Sequence, residues 1–160
     1  MKKRIIATLI IFAALLIAFN IYSTKVDFKD FTQYLNVAKE FAGIATSKVR
    51  SITGYAYGLI LGQVLKFSPT LLTAKLFNAA WLFLDGVLLY LITKRWSSLL
   101  LWMFSPIVWY MASWISPLMP VSFLLLFAFY NMKLYEKENK KTNLVLSALS
   151  LGLASTLWWA

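Results

Sequence analysis

The chain has 160 residues, of which 61% are hydrophobic and only 14% are charged, a composition too apolar for a soluble domain of this size. It contains no cysteine and no histidine, which excludes disulfides, thiolate or imidazole metal sites and a histidine general base. The formal net charge of +10 comes from Lys and Arg residues that separate apolar segments, so we expect no nucleic-acid partner. The sequence predicts an all-α, polytopic membrane protein whose acid or base chemistry would use carboxylates.

Residues 5–22 are predicted to form the first transmembrane helix. A basic start at residues 1–4 precedes about 18 mainly apolar residues, which cross a hydrocarbon core of roughly 30 Å at about 1.5 Å per residue. This apolar run is longer than that of a signal peptide, and no small-x-small cleavage site follows it. We therefore expect a retained signal-anchor in the plasma membrane, with the N-terminus in the cytoplasm.

The polar stretch that follows, residues 23–50, is predicted to contain an amphipathic helix outside the membrane. Its apolar side chains recur at helical spacing from Phe31 to Ala45, and polar side chains occupy the other side. Such a helix would lie along the membrane surface with its aromatic side toward the lipid. The next segment, residues 52–67, is apolar but spans only about 24 Å as a helix, which is short for a membrane crossing.

Positive charge in the later loops decides how residues 52–67 are interpreted. If they crossed the membrane, Lys94, Arg95 and the lysines of residues 133–141 would lie outside, against the positive-inside rule. A re-entrant or juxtamembrane helix keeps both loops inside, at the cost of several basic residues in the long external loop. We therefore predict one transmembrane domain over residues 1–160, with an external loop at about 23–70 and five spans at about 5–22, 71–93, 97–114, 117–132 and 142–159.

The later spans carry local signals of their own. Pro106 is expected to kink the third span, and Ser116 with Pro117 is typical of the N-cap and first position of the fourth helix. The cytoplasmic loop is predicted at residues 133–141. The fifth span has a stripe of small side chains that would accept a further membrane helix or subunit: Ala148, Gly152 and Ser155.

Asp27 and Asp30 are the candidate catalytic carboxylates. Either residue could simply cap a helix, and Asp30 followed by Gln33 resembles a capping box. A carboxylate at the outer membrane face could instead serve as general base toward an acceptor hydroxyl, if partial desolvation raises its pKa toward neutrality. The residues alone leave both roles open.

Polar residues inside the second predicted span form another candidate group. Lys75, Asn78 and Asp85 share one stripe of that helix. An acidic side chain within the membrane faces a cavity or a partner and not lipid, so Asp85 either has a function or pairs with another helix.

Two further sets of residues could contact a substrate. Lys48 and Arg50 could bind the phosphate of a lipid-linked donor, although solvated loop charge or contact with lipid headgroups is the commoner reason for such residues. Tyr34, Tyr55 and Tyr57 could contact a sugar or a lipid, or could anchor the chain at the interface. We find no phosphate-binding glycine loop, no zinc-protease motif and no nucleophile elbow.

Several segments in order resemble a known family. After the first span come DFTQYLNVAKEF at 30–41, a Tyr- and Gly-containing segment at 54–62, TAKLFNAAWLFLDGVLLYLITKR at 73–95 and NLVLSALSLGLAS at 143–155. This order resembles the N-terminal part of the GT-C glycosyltransferases, multi-span enzymes that use polyprenyl-phosphate-linked sugars. The resemblance implies that Asp30 is the catalytic base or positions the acceptor, that Asp27 could substitute for it, and that no metal or other cofactor is needed.

The chain departs from that family in two respects. Its loop before the fourth span, SWISPLMP, has no acidic residue where many members carry one, and the chain is much shorter than is usual for such enzymes. We therefore expect a glycosyltransferase-like protein or a fragment of one. The alternative is a non-enzymatic membrane protein, either a small transporter built around Asp85 or an assembly subunit that docks through its fifth span.

Overall fold

The computed structural model describes residues 2–23, 29–44 and 55–159, and within these ranges all regular secondary structure is α-helical. This confirms the predicted all-α class. Asp27, Lys48 and Arg50 lie outside the described residues. The helices of the described part are α1 (Lys2–Tyr22), α2 (Lys29–Phe41), α3 (Tyr55–Phe67), α4 (Leu71–Thr93), α5 (Trp96–Met103), α6 (Pro106–Ala112), α7 (Leu118–Glu138) and α8 (Lys141–Trp159).

Three helices of the described chain, α1, α4 and α7, are long and apolar enough to cross a membrane. At about 1.5 Å per residue, their 20, 23 and 21 residues reach roughly the 30 Å of a hydrocarbon core. Most of their surface is left uncovered by the rest of the described chain, and that surface carries large aliphatic side chains such as Ile10 and Leu125. The protein is therefore a membrane protein by helix length and composition, with three candidate spans where the sequence predicted five.

The prediction that residues 97–114 form a single kinked helix is wrong. It forms two helices, α5 and α6, of 8 and 7 residues, and neither alone is long enough to cross a bilayer. Pro106 is the first residue of α6, and Ser105 before it has an extended backbone, with φ −67° and ψ 123°. Because proline has no N–H and disfavours a helical conformation in the preceding residue, the chain breaks here and restarts.

The fourth predicted span is longer than expected. The Ser116 hydroxyl accepts a hydrogen bond from the backbone N–H of Leu118, and Pro117 has helical dihedral angles, so the predicted start is correct to within one residue. The helix then continues through Glu138, which replaces most of the loop predicted at residues 133–141. It ends only at Asn139, whose φ of 51° is a left-handed helix terminus.

Helix α1 packs antiparallel to α4. The Lys75 side chain reaches the last described residue after α1, Ser23, while the ring of Phe12 lies 6.1 Å from that of Phe83 further along α4. The indole of Trp96, just beyond α4, donates to the Thr8 hydroxyl near the start of α1 at 3.0 Å. We call these two ends of the bundle the Ser23 end and the Thr8 end. The core between them contains Phe12, Leu16, Ala79, Leu82, Met103, Val108, Ala112 and Met119.

Helices α2 and α3 form a hairpin that packs at the Ser23 end. Both glycines of α3 that face α2 are required for this approach, because a Cβ on Gly58 would collide with Val37 and one on Gly62 would lie 2.8 Å from the Ala38 carbonyl oxygen. Four of the apolar residues of α2 predicted to face lipid pack instead in a cluster with α3: Tyr34, Leu35, Ala38 and Ala42. The second core cluster contains Ala38, Tyr57, Leu61, Leu65, Ala74, Ile115 and Leu157.

Helix α8 packs along α7 and reaches α3 near its own C-terminal end. It is not one of the three helices that are apolar enough to qualify as spans. Its small-residue stripe lies on the exposed side of the helix, and a Cβ on Gly152 would meet no atom within 4 Å. A helix partner for Ala148, Gly152 and Ser155 therefore stays a prediction.

Candidate functional site

Three polar side chains of α4, those of Lys75, Asn78 and Asp85, are buried, and they form three separate contacts. The first is at the Ser23 end, where Thr70 caps α4 by accepting a hydrogen bond from the backbone N–H of Thr73 at 3.1 Å. One turn further along, the ammonium of Lys75 is 1% exposed and donates to the Ser23 carbonyl at 2.5 Å. A buried ammonium thus holds the chain where it leaves α1, directly before residues 24–28.

The second contact centres on Asn78, which is fully buried. Its carbonyl oxygen accepts a hydrogen bond from the Tyr57 hydroxyl at 2.8 Å, and its amide donates to the Trp114 carbonyl at 2.7 Å. Burial raises the pKa of the Tyr57 hydroxyl above its ordinary value, and the hydrogen bond to Asn78 offsets this only in part. The phenol therefore stays protonated near neutral pH and remains a donor to Asn78.

The third contact lies deeper, where α4 meets α7. Asp85 is fully buried, and one of its carboxyl oxygens accepts a hydrogen bond from the Ser122 hydroxyl at 2.6 Å. The same hydroxyl is 2.9 Å from the Met119 carbonyl, so its single hydrogen is shared between two acceptors. The other carboxyl oxygen of Asp85 has no hydrogen-bond partner among the described residues. An acid in such a position costs about 2.5–3.5 kcal/mol on insertion scales, so it needs a structural or functional reason.

The stripe of Lys75, Asn78 and Asp85 predicted from the sequence is therefore buried but does not form one site. Asp85 is seven residues beyond Asn78, about 10 Å along the helix axis. The three side chains contact three different parts of the chain, namely the end of α1, the pair of α3 with the α6–α7 connection, and α7.

The tyrosines predicted to contact substrate divide into two environments. Tyr34 and Tyr57 pack edge to face with ring centroids 5.9 Å apart, inside the contact between α2 and α3. Tyr55 is 39% exposed and packs edge to face on Phe41. Tyr57 is therefore a core residue, while Tyr55 is the most exposed of the three.

Asp30 lies in the first turn of α2, and its side chain is outside the described part of the structure. The other predicted catalytic residue, Asp27, and the predicted phosphate ligands, Lys48 and Arg50, are outside it entirely. No group of three metal-ligating side chains occurs among the residues that the structure describes.

Sequence reasoning missed the partners of the buried polar groups. Ser122 was read as one residue of an apolar span, although a hydroxyl one turn into an apolar helix was a usable signal. Ser23 and Trp114 contribute only backbone carbonyls, which no residue pattern can identify. Asn20, also missed, is fully buried on α1 and donates to the Leu16 carbonyl of its own helix.

Comparisons with protein-family models, with curated proteins and with solved structures found no match to this chain.

Proposed function

We propose that the chain is a plasma-membrane protein that passes through the bilayer five times, with its N-terminus and the Thr8 end in the cytoplasm. The contacts of α5 and α6 support a third, broken pass. Trp96 at the start of α5 contacts Thr8, whereas Trp114 after α6 contacts Asn78 toward the opposite end of the bundle. The two short helices together therefore extend over much of the length of one span.

Helix α8 would form the fifth pass. It starts at Lys141, directly after α7, and its Leu157 packs in the cluster at the Ser23 end. With this arrangement, the basic residues of both short connections lie on the cytoplasmic side, in agreement with the positive-inside rule: Lys94, Arg95, Lys140 and Lys141.

We further propose that the protein takes part in transferring a sugar from a polyprenyl-phosphate donor to an acceptor at the outer membrane face. Asp30 accepts the proton of the acceptor hydroxyl as the acceptor oxygen bonds to the anomeric carbon. The bond from that carbon to the donor phosphate oxygen breaks, which inverts the configuration and releases the polyprenyl phosphate. Lys48 or Arg50 steadies the phosphate as it takes up charge.

One observation carries this proposal beyond the sequence resemblance. Asp30 is in the first turn of a helix whose later turns pack on Gly58 and Gly62 of α3, and Lys75 contacts the chain where it leaves α1 at Ser23. A carboxylate that begins such a helix has a supported backbone, which a catalytic base requires for precise positioning.

Replacement of Asp30 by Asn tests the catalytic role. Asn caps a helix as well as Asp does but is not a base, so we expect transfer to fall by about 10²–10⁴-fold while helix content is unchanged. Glu40→Gln is the matched control, because Glu40 is an exposed carboxylate at the other end of α2. Full transfer activity in Asp30→Asn would refute the proposal, and loss only in Asp30→Ala would assign a capping role.

Asp85 favours a second candidate, a non-enzymatic protein such as a small transporter or an assembly subunit. Its carboxyl group is buried between two candidate spans and has one oxygen without a partner in the described chain. Substrate flux that is abolished by Asp85→Asn and retained by Asp30→Asn would establish transport over sugar transfer.

A further inference from the structure

A cavity of about 320 Å³ lies between α3, α4, α7 and α8. Phe77 and Trp81 of α4 form one wall, and Pro120 and Leu124 of α7 form another. Phe77 and Trp81 are in the first half of α4, and Pro120 and Leu124 are in the first half of α7, so the cavity lies toward one end of two helices of membrane-spanning length and composition. It is distinct from the site proposed around Asp30.

Water molecules are unfavourable in this cavity, because its wall offers them no hydrogen bonds. A buried water molecule needs two to four polar partners, and the accessible wall of the cavity is entirely apolar. The two lining residues that carry hydroxyls use them elsewhere, since Tyr57 donates to Asn78 and Thr156 donates to the Gly152 carbonyl at 2.9 Å. The indole N–H of Trp81 has no partner among the described residues, but this atom is buried and does not contribute to the accessible wall. The wall therefore favours a hydrocarbon occupant.

The cavity has an apolar rim on the outside of the bundle. Leu59 and Ile60 of α3 are 46% and 43% exposed, and Leu153 of α8 is 57% exposed, yet all three also line the cavity. Leu153 is on α8, which is proposed to cross the membrane, so acyl chains lie next to the opening and have the chemistry that the wall accepts. The volume is at the lower end of the roughly 300–1,000 Å³ typical of ligand pockets, which suits one chain and not a whole lipid.

We infer that this cavity binds a single acyl chain of a bilayer phospholipid, which enters between α3 and α8. The inference is independent of the proposed sugar transfer. Binding would cover the gap between the α2–α3 hairpin and the α7–α8 pair, and would thereby link the hairpin to the membrane that surrounds it.

Photocrosslinking of the full chain in vesicles tests the inference. The vesicles contain phosphatidylcholine with a diazirine near the end of one acyl chain, and the labelled residues are mapped by mass spectrometry. We expect labelling of Phe77, Trp81 and Leu124, which line the cavity and are less exposed than the residues at its rim. Leu153→Trp and Thr156→Trp place a bulky ring at the rim and should each reduce this labelling by about tenfold, the factor that corresponds to roughly 1.4 kcal/mol of lost binding.

Leu151→Trp is the matched control, because Leu151 is 47% exposed on the same helix but does not line the cavity. It should leave the labelling of Phe77, Trp81 and Leu124 unchanged, and circular dichroism should give the same melting temperature for all three variants. Labelling confined to outward-facing side chains would overturn the inference. So would cavity labelling that survives both rim substitutions, or that added polyprenyl phosphate displaces but unlabelled phosphatidylcholine does not.

Discussion

Asn78 joins three parts of the chain through one side chain. Its amide contacts the Tyr57 hydroxyl of α3 and the Trp114 carbonyl beyond α6, while its backbone belongs to α4. A buried amide loses several kcal/mol of hydration if it is left unpaired, so each of these partners is needed to offset that cost. At the scale of single residues, the Ser23 end is therefore held by directional hydrogen bonds as well as by apolar packing.

Tyr57→Phe should destabilise the protein by about 1–2 kcal/mol. The substitution keeps the ring and its packing but leaves the carbonyl oxygen of Asn78 buried without its donor. Denaturant unfolding in detergent micelles measures the change. Tyr55→Phe is the control, because Tyr55 is two residues away and partly exposed, and it should change stability by less than about 0.5 kcal/mol. Equal effects of the two substitutions would contradict this role for Asn78.

The close packing of the α2–α3 hairpin depends on two small residues of α3. Gly58 and Gly62 are four residues apart and lie on one face of α3, so they remove two successive side chains from the surface that α2 covers. Backbones approach closely across such a pair, as in the small-xxx-small contacts of membrane helices. The amphipathic pattern of α2 reflects this contact, because α3 packs against Tyr34, Leu35, Ala38 and Ala42, which were predicted to face lipid.

Gly58→Ala should separate α2 from α3 and cost about 1–3 kcal/mol, because the new methyl group overlaps Val37. Gly152→Ala has the same chemistry in a helix where the new Cβ meets nothing within 4 Å. It should be neutral or stabilise the protein by up to about 1 kcal/mol, since alanine favours helix. Proteolysis of the α2–α3 hairpin, followed by mass spectrometry, measures the separation. Equal protection of both variants would exclude close packing at Gly58 as a determinant of the hairpin.

At the scale of the whole molecule, antiparallel α1 and α4 define the two ends, and the other helices are arranged around them. Trp96 contacts Thr8 at one end, and Lys75 contacts Ser23 at the other. Helices α5 and α6 lie between these levels, so a segment that is too broken to qualify as a span still extends along the bundle. By hydropathy and helix length alone, the described chain has three candidate membrane passes, fewer than the five that we propose.

Single cysteines at positions 66 and 94 test the five-pass arrangement, and the natural absence of cysteine makes each label unique. Both side chains are exposed. A membrane-impermeant maleimide added to intact cells therefore reacts only with a cysteine on the outer side of the membrane. We expect Lys66→Cys to react in intact cells and Lys94→Cys to react only after permeabilisation. The opposite result, with position 66 protected and position 94 accessible, would show that α3 crosses the membrane and would invalidate the arrangement.

Much of the fold follows from local sequence. Helix α4 has the bounds predicted for the second span, Leu71–Thr93, because a mainly apolar run of that length without proline has few alternatives in a membrane. The start of α7 follows from Ser116 and Pro117, since capping is a property of neighbouring residues. The break at Pro106 was visible as a proline but was predicted to be a kink, because sequence does not show whether a neighbouring helix supports the freed backbone groups.

The polar residues of α4 also show which features follow from local sequence and which depend on tertiary packing. The sequence by itself determined that Lys75, Asn78 and Asp85 share a face and that such residues avoid lipid, since helical periodicity and the cost of buried polarity are local properties. Only the tertiary structure decided that they contact Ser23, Trp114 and Ser122, because each contact spans at least 36 positions in the chain. Contacts across such separations depend on how helices pack, and packing is set by the shapes of both surfaces at once.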